Sequence, residues 1–248
     1  EACMTTNTMN GTALTARPWV DPKRLLWLFS PLIPVLGLLI LTAYSLTGWG
    51  IFTWGGPLLV YVLIPVFDWL IGTDQSNPPE SAVNQLENDG YYRAIVYSYI
   101  PAQFATTIWG TWIAVTGDLA TWELVGLIFS VGAINGIAIN TSHELGHKRE
   151  SFDRWMAKLT LAPVAYGHFF VEHNRGHHRD VATPVDPASS RMGESIYRFV
   201  FREMPGGFFR AWDLESERLE RAGKSVWSLE KSSSSSALQV PVSPPCCA

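Results

Sequence analysis

The body of this 248-residue chain lacks cysteine: the three it has, Cys3, Cys246 and Cys247, stand at the extreme ends. This excludes a disulfide scaffold, a cysteine-held iron–sulfur cluster and a thiolate nucleophile between them. A metal bound in the body must therefore take nitrogen or oxygen ligands. Charge is scarce too. Charged residues make up 16% of the chain, against roughly 25% in an ordinary soluble domain. The shortage is local, because residues 25–142 carry 8 charges and residues 143–231 carry 27. A single water-soluble domain does not divide in this way. The net charge of −4 offers nothing to a nucleic acid. Histidine is missing from the first 142 residues and again after His178.

What fills the charge-poor half is long apolar runs. Crossing a bilayer core takes about 20 apolar residues in a helix. Leu25–Leu46, Gly48–Phe67, Ala94–Gly117 and Leu124–Ser142 meet that length without one charge. They predict four transmembrane helices in two hairpins, with Pro31, Pro34 and Pro65 as kinks that neighbouring helices accommodate. Tryptophans such as Trp27, Trp49, Trp69 and Trp122 fall near the span ends, as in an interfacial aromatic belt. All 18 lysines and arginines lie before the first span, in the 72–93 loop or after Ser142. By the positive-inside rule those three regions face the cytoplasm. The expected organisation is a cytoplasmic segment at 1–24, a four-span region at 25–142 and a cytoplasmic region at 143–231. Residues 232–248, with their serine run, read as a disordered low-complexity tail that is not native to the fold.

The six histidines fall in one stretch at the cytoplasmic end of the fourth span. His143-Glu144-Leu145-Gly146-His147 sets two imidazoles at i and i+4, on one face if the helix continues past Ser142. Glu172-His173-Asn174-Arg175-Gly176-His177-His178 repeats that spacing at His173 and His177. His178 then sits about 100° around the helix from His177, so the adjacent pair suits two ions side by side. Neutral imidazole serves zinc, copper, iron and nickel alike. Five box histidines are too many for one catalytic zinc, which takes three protein ligands and a water. Glu144 and Glu172 each flank a box histidine and are expected to orient the rings by accepting the second ring N–H. His168 fits neither box and reads as structural. The first box also satisfies the H-E-x-x-H pattern of zinc metalloproteases, with Glu144 as general base. That reading leaves the second box without a role.

The longer strings are more specific. Asn140–Lys148 and Glu172–Pro184 resemble the two histidine signatures of the integral-membrane alkane 1-monooxygenases, in the fatty-acid desaturase and hydroxylase superfamily. Ser151–Lys158, Asp186–Arg191, Asn77–Glu80 and Gly48–Phe52 are similar to the same family, and the likeness runs from about Trp19 to Glu230. The resemblance implies an all-α, six-helix membrane bundle with a cytoplasmic cap, of which four spans are present here. It implies two non-haem irons held by histidines, here His143, His147, His173, His177 and His178. It implies terminal hydroxylation of linear alkanes by O2, with electrons from NAD(P)H through rubredoxin reductase and rubredoxin, at the cytoplasmic side of the inner membrane. A xylene-type or fatty-acyl hydroxylase is the neighbouring alternative. The family's third box, H-x2-H-H, has no counterpart, since no histidine follows His178. The chain as it stands is therefore expected to bind at most one metal well and to be inactive, a non-catalytic membrane fragment.

Overall fold

The computed structural model describes residues 19–74 and 76–227, and among these it contains helices and no strand. The long helices are α1 (Arg24–Thr47), α2 (Gly50–Ile71), α4 (Gly90–Thr116) and α5 (Thr121–Gly146). Shorter ones are α3 (Glu80–Glu87), α6 (Ser151–Leu161) and α7 (168–180), and a final long helix, α8, covers Ile196–Arg221. The tail expected at 232–248 lies outside the described residues.

Local chemistry sets the ends of these helices. Gly48 closes α1 in the left-handed region at φ 69°, its N–H bonded to the Tyr44 carbonyl at 2.8 Å. Asp89 caps α4 by accepting the Tyr91 N–H at 2.9 Å. Glu123 reaches back to the Ala120 N–H at the start of α5. Such contacts satisfy the amide groups a helix start leaves open. Helix α2 is irregular. It opens as a 3₁₀ turn at Gly50–Trp54 and widens to a π-turn at Leu59–Leu63, just before Pro65, which has no N–H to donate to the preceding turn.

Three helices, α1, α2 and α5, are long and apolar enough to cross a membrane, rather than the four expected. The one that falls short is α4. Its 27 residues would extend about 40 Å, yet it carries Tyr99, Gln103, Thr106 and Thr107 along one stretch. Burial explains the dilution, since Tyr99, Gln103 and Thr106 point into the bundle and not outward. Thr106 donates to the Pro34 carbonyl of α1 at 2.7 Å, Tyr99 to the Ile134 carbonyl of α5 at 3.1 Å, and Gln103 to Asn135 of α5 at 2.7 Å. Hydrogen bonds and small residues replace hydrophobic contrast as the glue between membrane helices. The small-residue part is visible at Gly56, where an added Cβ would stand 2.5 Å from the Ser130 Cα.

Two apolar clusters divide the bundle along its length. Leu41, Ile113 and Leu127 hold α1, α4 and α5 together at one end. Ile100, Leu145, Ala157, Leu161 and Phe170 form the other, where α6 and α7 fold back against α4 and α5. Gln103 donates to the Thr160 carbonyl at 3.0 Å and Ser142 to the Ala157 carbonyl at 2.9 Å, fixing α6 to both membrane helices. This second cluster lies directly beneath the histidines.

Candidate metal centre

Helix α5 runs past the predicted span end to Gly146, so His143 lies in its last turn and His147 caps it. Their rings are 4.7 Å apart between centroids, as the i,i+4 spacing requires. The second box departs from the expected geometry. His173–His177 is a π-turn between the α-helical pieces His168–Glu172 and His178–Asp180. With i→i+5 bonding His178 also turns to His173, their ring centroids 4.6 Å apart against 5.4 Å for His173 and His177. The His178 and His173 Nε2 atoms are 3.1 Å apart, and His173 Nε2 is 3.2 Å from His147 Nε2. His143 completes the group, with its ring 4.5 Å from that of His173. The ligand atoms of His143, His147, His173 and His178 all lie within 4.8 Å of one another.

These four residues fit a metal ion. Metal–imidazole bonds of about 2.0–2.1 Å place neighbouring nitrogens about 2.9–3.4 Å apart around one ion. The two measured Nε2 separations fall in that interval. Burial, reinforced by the imidazoles of His143, His178 and His147, pushes His173 down to about 4. Burial likewise lowers His147. Both rings are therefore held neutral, the form that binds metal.

His177 stands apart from the four. Its Nδ1 meets Asp186 Oδ2 at 2.8 Å, which leaves Nε2 as the free ring nitrogen. The Asp186 side chain is 0% exposed and also accepts from the Ala188 N–H at 3.0 Å and from the Ser189 hydroxyl. Desolvation opposes its charge, but the bonds from Ser189, Ala188 and His177 prevail and hold the carboxyl below its ordinary range. A buried carboxylate on the second nitrogen of an imidazole is the usual way to fix a ligand's tautomer and direction. Sequence reasoning did not single out Asp186 as functional. Its signal was only a place in a family-like string nine residues after His177.

Glu144 and Glu172 make other contacts. Glu144 pairs with Lys148 at 2.8 Å. Glu172 is buried against Gly176 and Arg210, and desolvation, with Asp186 adding, pushes it up to about 7 against the pull of His177 and Arg210. His168 lies between Tyr166 and Phe208, outside the cluster.

Helix α8 clamps the loop that carries Asp186. Arg202 donates to the Pro187 carbonyl at 2.8 Å and the Ser189 carbonyl at 2.9 Å, while holding Glu194 through two bonds. Two turns on, Arg210 donates to the Val185 carbonyl at 2.6 Å and pairs with Asp180. The guanidinium fork suits this task because it offers several donors in fixed directions.

A helical membrane bundle with clustered histidines at one end defines a class, and sequence comparison agrees. The fatty acid desaturase family profile matches residues 120–239. Within that class the chain is similar over most of its length to alkane 1-monooxygenases. It is 55% identical to alkane 1-monooxygenase 1 of Alcanivorax borkumensis, over 86% of this chain and 52% of that protein. It is 52% identical to the alkane 1-monooxygenase of Ectopseudomonas oleovorans, over 87% of this chain and 54% of the relative. With the Pseudomonas putida alkane 1-monooxygenase it shares 50% identity, over 90% of this chain and 56% of that protein. The chain thus spans about half the length of the curated relatives it matches.

Proposed function

We propose that this chain carries the metal-binding core of an iron-dependent alkane 1-monooxygenase, which converts linear alkanes to primary alcohols with O2. The observation that carries the reading is the convergence of four imidazoles from α5 and α7 at the end of an apolar bundle. His143, His147, His173 and His178 would hold one iron, and His177, oriented by Asp186, would serve a second. Iron there supplies the redox chemistry that activates O2 and oxidises a terminal C–H bond. The protein's own share is to fix the rings and exclude water beneath them with the Ile100–Phe170 cluster. An alkane dissolves in lipid, so it can enter sideways between apolar helices. One methylene is worth only about 1–3 kcal/mol in such a pocket, so chain-length choice falls to steric blocks.

Electrons would come from rubredoxin and its NAD(P)H-dependent reductase, on the cytoplasmic side of the inner membrane. The basic residues of the loops and of the segment after Ser142 support that orientation. The zinc-protease reading of His143–His147 gains nothing from Glu144, which pairs with Lys148.

The test is metal analysis of protein purified in detergent, together with octane oxidation in cells supplied with rubredoxin and its reductase. Iron lost in H147A and H173A supports the site. Zinc in preference to iron, or iron retained in both variants, would refute it. Formation of 1-octanol by this chain alone would show that the residues present suffice for turnover.

A further inference from the structure

One arrangement around the histidines is not needed to hold a metal. Four rings lie nearly parallel in a row: Tyr166 on Phe169 at 5.6 Å and 20°, Phe169 on His173 at 4.9 Å and 18°, and His173 on His177 at 5.4 Å and 20°. The row steps by three, four and four residues, from Tyr166 just before α7 to His177 within it. At the far end of the row the Tyr166 hydroxyl donates to Glu203 of α8, with the two carboxylate oxygens at 3.2 and 3.4 Å. His168 meets the Tyr166 ring edge-on at 4.5 Å, and its own Nε2 is buried without a partner.

A phenol gives up an electron readily only when its proton can leave at the same time. Tyr166 meets that condition, because a carboxylate already accepts its hydrogen bond. Burial raises the phenol, so at rest it keeps its proton, and the Glu203 carboxylate takes that proton only as the electron leaves. A phenylalanine at 166 would stack equally well. A role confined to packing therefore leaves the hydroxyl and its buried acceptor unexplained.

We propose that Tyr166 is a one-electron relay for the metal centre, connected through the Phe169–His173 stack and using Glu203 as its proton acceptor. The inference rests on the redox-metal reading above. Tyr166 gives one electron to a centre that O2 has oxidised with no alkane C–H bond in place. Its O–H bond breaks, and the proton moves to a Glu203 carboxylate oxygen. The products are a neutral tyrosyl radical, a protonated Glu203 and a centre reduced by one electron. An external reductant, such as the rubredoxin-class donor or a thiol, returns the electron, and Glu203 returns the proton. The relay removes oxidising equivalents that would otherwise attack the ligand histidines.

The experiment uses the full chain, iron-loaded in detergent, mixed with O2 and a reductant without alkane, then freeze-quenched for electron paramagnetic resonance. Ring-deuterated tyrosine identifies a tyrosyl signal by its narrowed hyperfine structure. The expected result is a tyrosyl radical that falls at least tenfold in Y166F and in E203Q, and persists in Y197F, a control at an exposed tyrosine of α8. Iron content is measured on every sample. Should Y166F fail to load iron, ring-fluorinated tyrosine in the parent protein tests the same point through its altered hyperfine pattern. A chain that binds no iron sinks both readings. An iron-loaded parent with no tyrosyl radical, or with one that survives Y166F or E203Q unchanged, overturns the relay alone.

Discussion

Replacing Asp186 with asparagine isolates the link between a buried carboxylate and a ring nitrogen. In the parent, Asp186 accepts three bonds at once, from His177 Nδ1, Ser189 and the Ala188 N–H. Asparagine preserves volume, but one of its two positions becomes a donor. That NH2 then confronts either the Ala188 N–H, in the Oδ1 position, or the Ser189 hydroxyl, which can rotate, together with the His177 Nδ1–H, which cannot, in the Oδ2 position. Facing His177, the amide favours the other tautomer, in which Nδ1 accepts and Nε2 carries the proton. An Nε2–H cannot bind metal. The lost charge-assisted bond is worth about 1.5–3 kcal/mol, which agrees with the 10–100-fold loss of affinity typical for such outer partners. The assay is cobalt(II) titration at pH 7 against a chelator, read by ligand-field absorption. D186N should weaken the ion that contacts His177 by about 10–100-fold and alter its bands, while helix content is unchanged. S189A should do much less, because two partners of the carboxylate remain. Unchanged affinity and unchanged bands in D186N would refute the argument that Asp186 governs a ligand.

Three further outcomes follow from the packing and the charges. At Gly176 an added Cβ would meet Arg210 Nε at 2.9 Å, Glu172 Oε1 at 3.0 Å and Leu214 Cδ1 at 3.1 Å, all side-chain and not backbone atoms. G176A should therefore keep metal binding, whereas G176V, overpacked by about 1–3 kcal/mol, should separate α7 from α8 and lose it; a G176V protein that binds normally would count against the α7–α8 contact. Q103L removes the donor to Asn135 and to the Thr160 carbonyl, and should lower stability by about 0.6–2 kcal/mol in detergent unfolding, with no change expected if those bonds contribute nothing. In the metal-free chain Glu172, raised to about 7 from 4.5, is protonated when folded, so its contribution is full below pH 4.5 and lost as pH rises to about 7. His173, lowered from 6.5 to about 4, acts in the opposite sense, its contribution being full above pH 6.5 and lost as pH falls to about 4. The two largely cancel between pH 4.5 and 6.5. Infrared carboxyl bands and imidazole NMR should resolve midpoints near 7 and near 4, and ordinary midpoints for both would show that burial there is overstated.

The sequence revealed the elements that a single physical variable controls. Charge-free length located α1, α2 and α5, because lipid imposes that one demand on any helix it touches. It marked α4 as well, whose mean composition falls short of the other three. The Gln103 and Thr106 side chains have no lipid contact, and whether a polar residue faces lipid or protein is a tertiary fact. Similarly, the spacing of His143 and His147 was enough to pair them, since an unbroken α-helix admits only one outcome. Asp186 stayed hidden because its role depends on a loop held by Arg202 and Arg210, which lie 16 and 24 positions beyond it.

The second histidine box shows most clearly where periodicity stops being informative. Glu172–His178 contains no proline or insertion to announce a π-turn, so an ideal helix pairs His173 with His177 and sends His178 elsewhere. Widening the turn by one residue brings His178 to His173 as well. His178 joins His143, His147 and His173, and His177 is released toward Asp186. Gly176 lies inside the widened turn, where its missing side chain lets the helix press on Arg210 and Leu214 of α8. Two adjacent histidines on a regular helix would still diverge, but neither would have its partner. The π-turn gives one of them to the four-ring cluster and the other to a buried carboxylate. One short helix in this way turns two adjacent histidines to different partners.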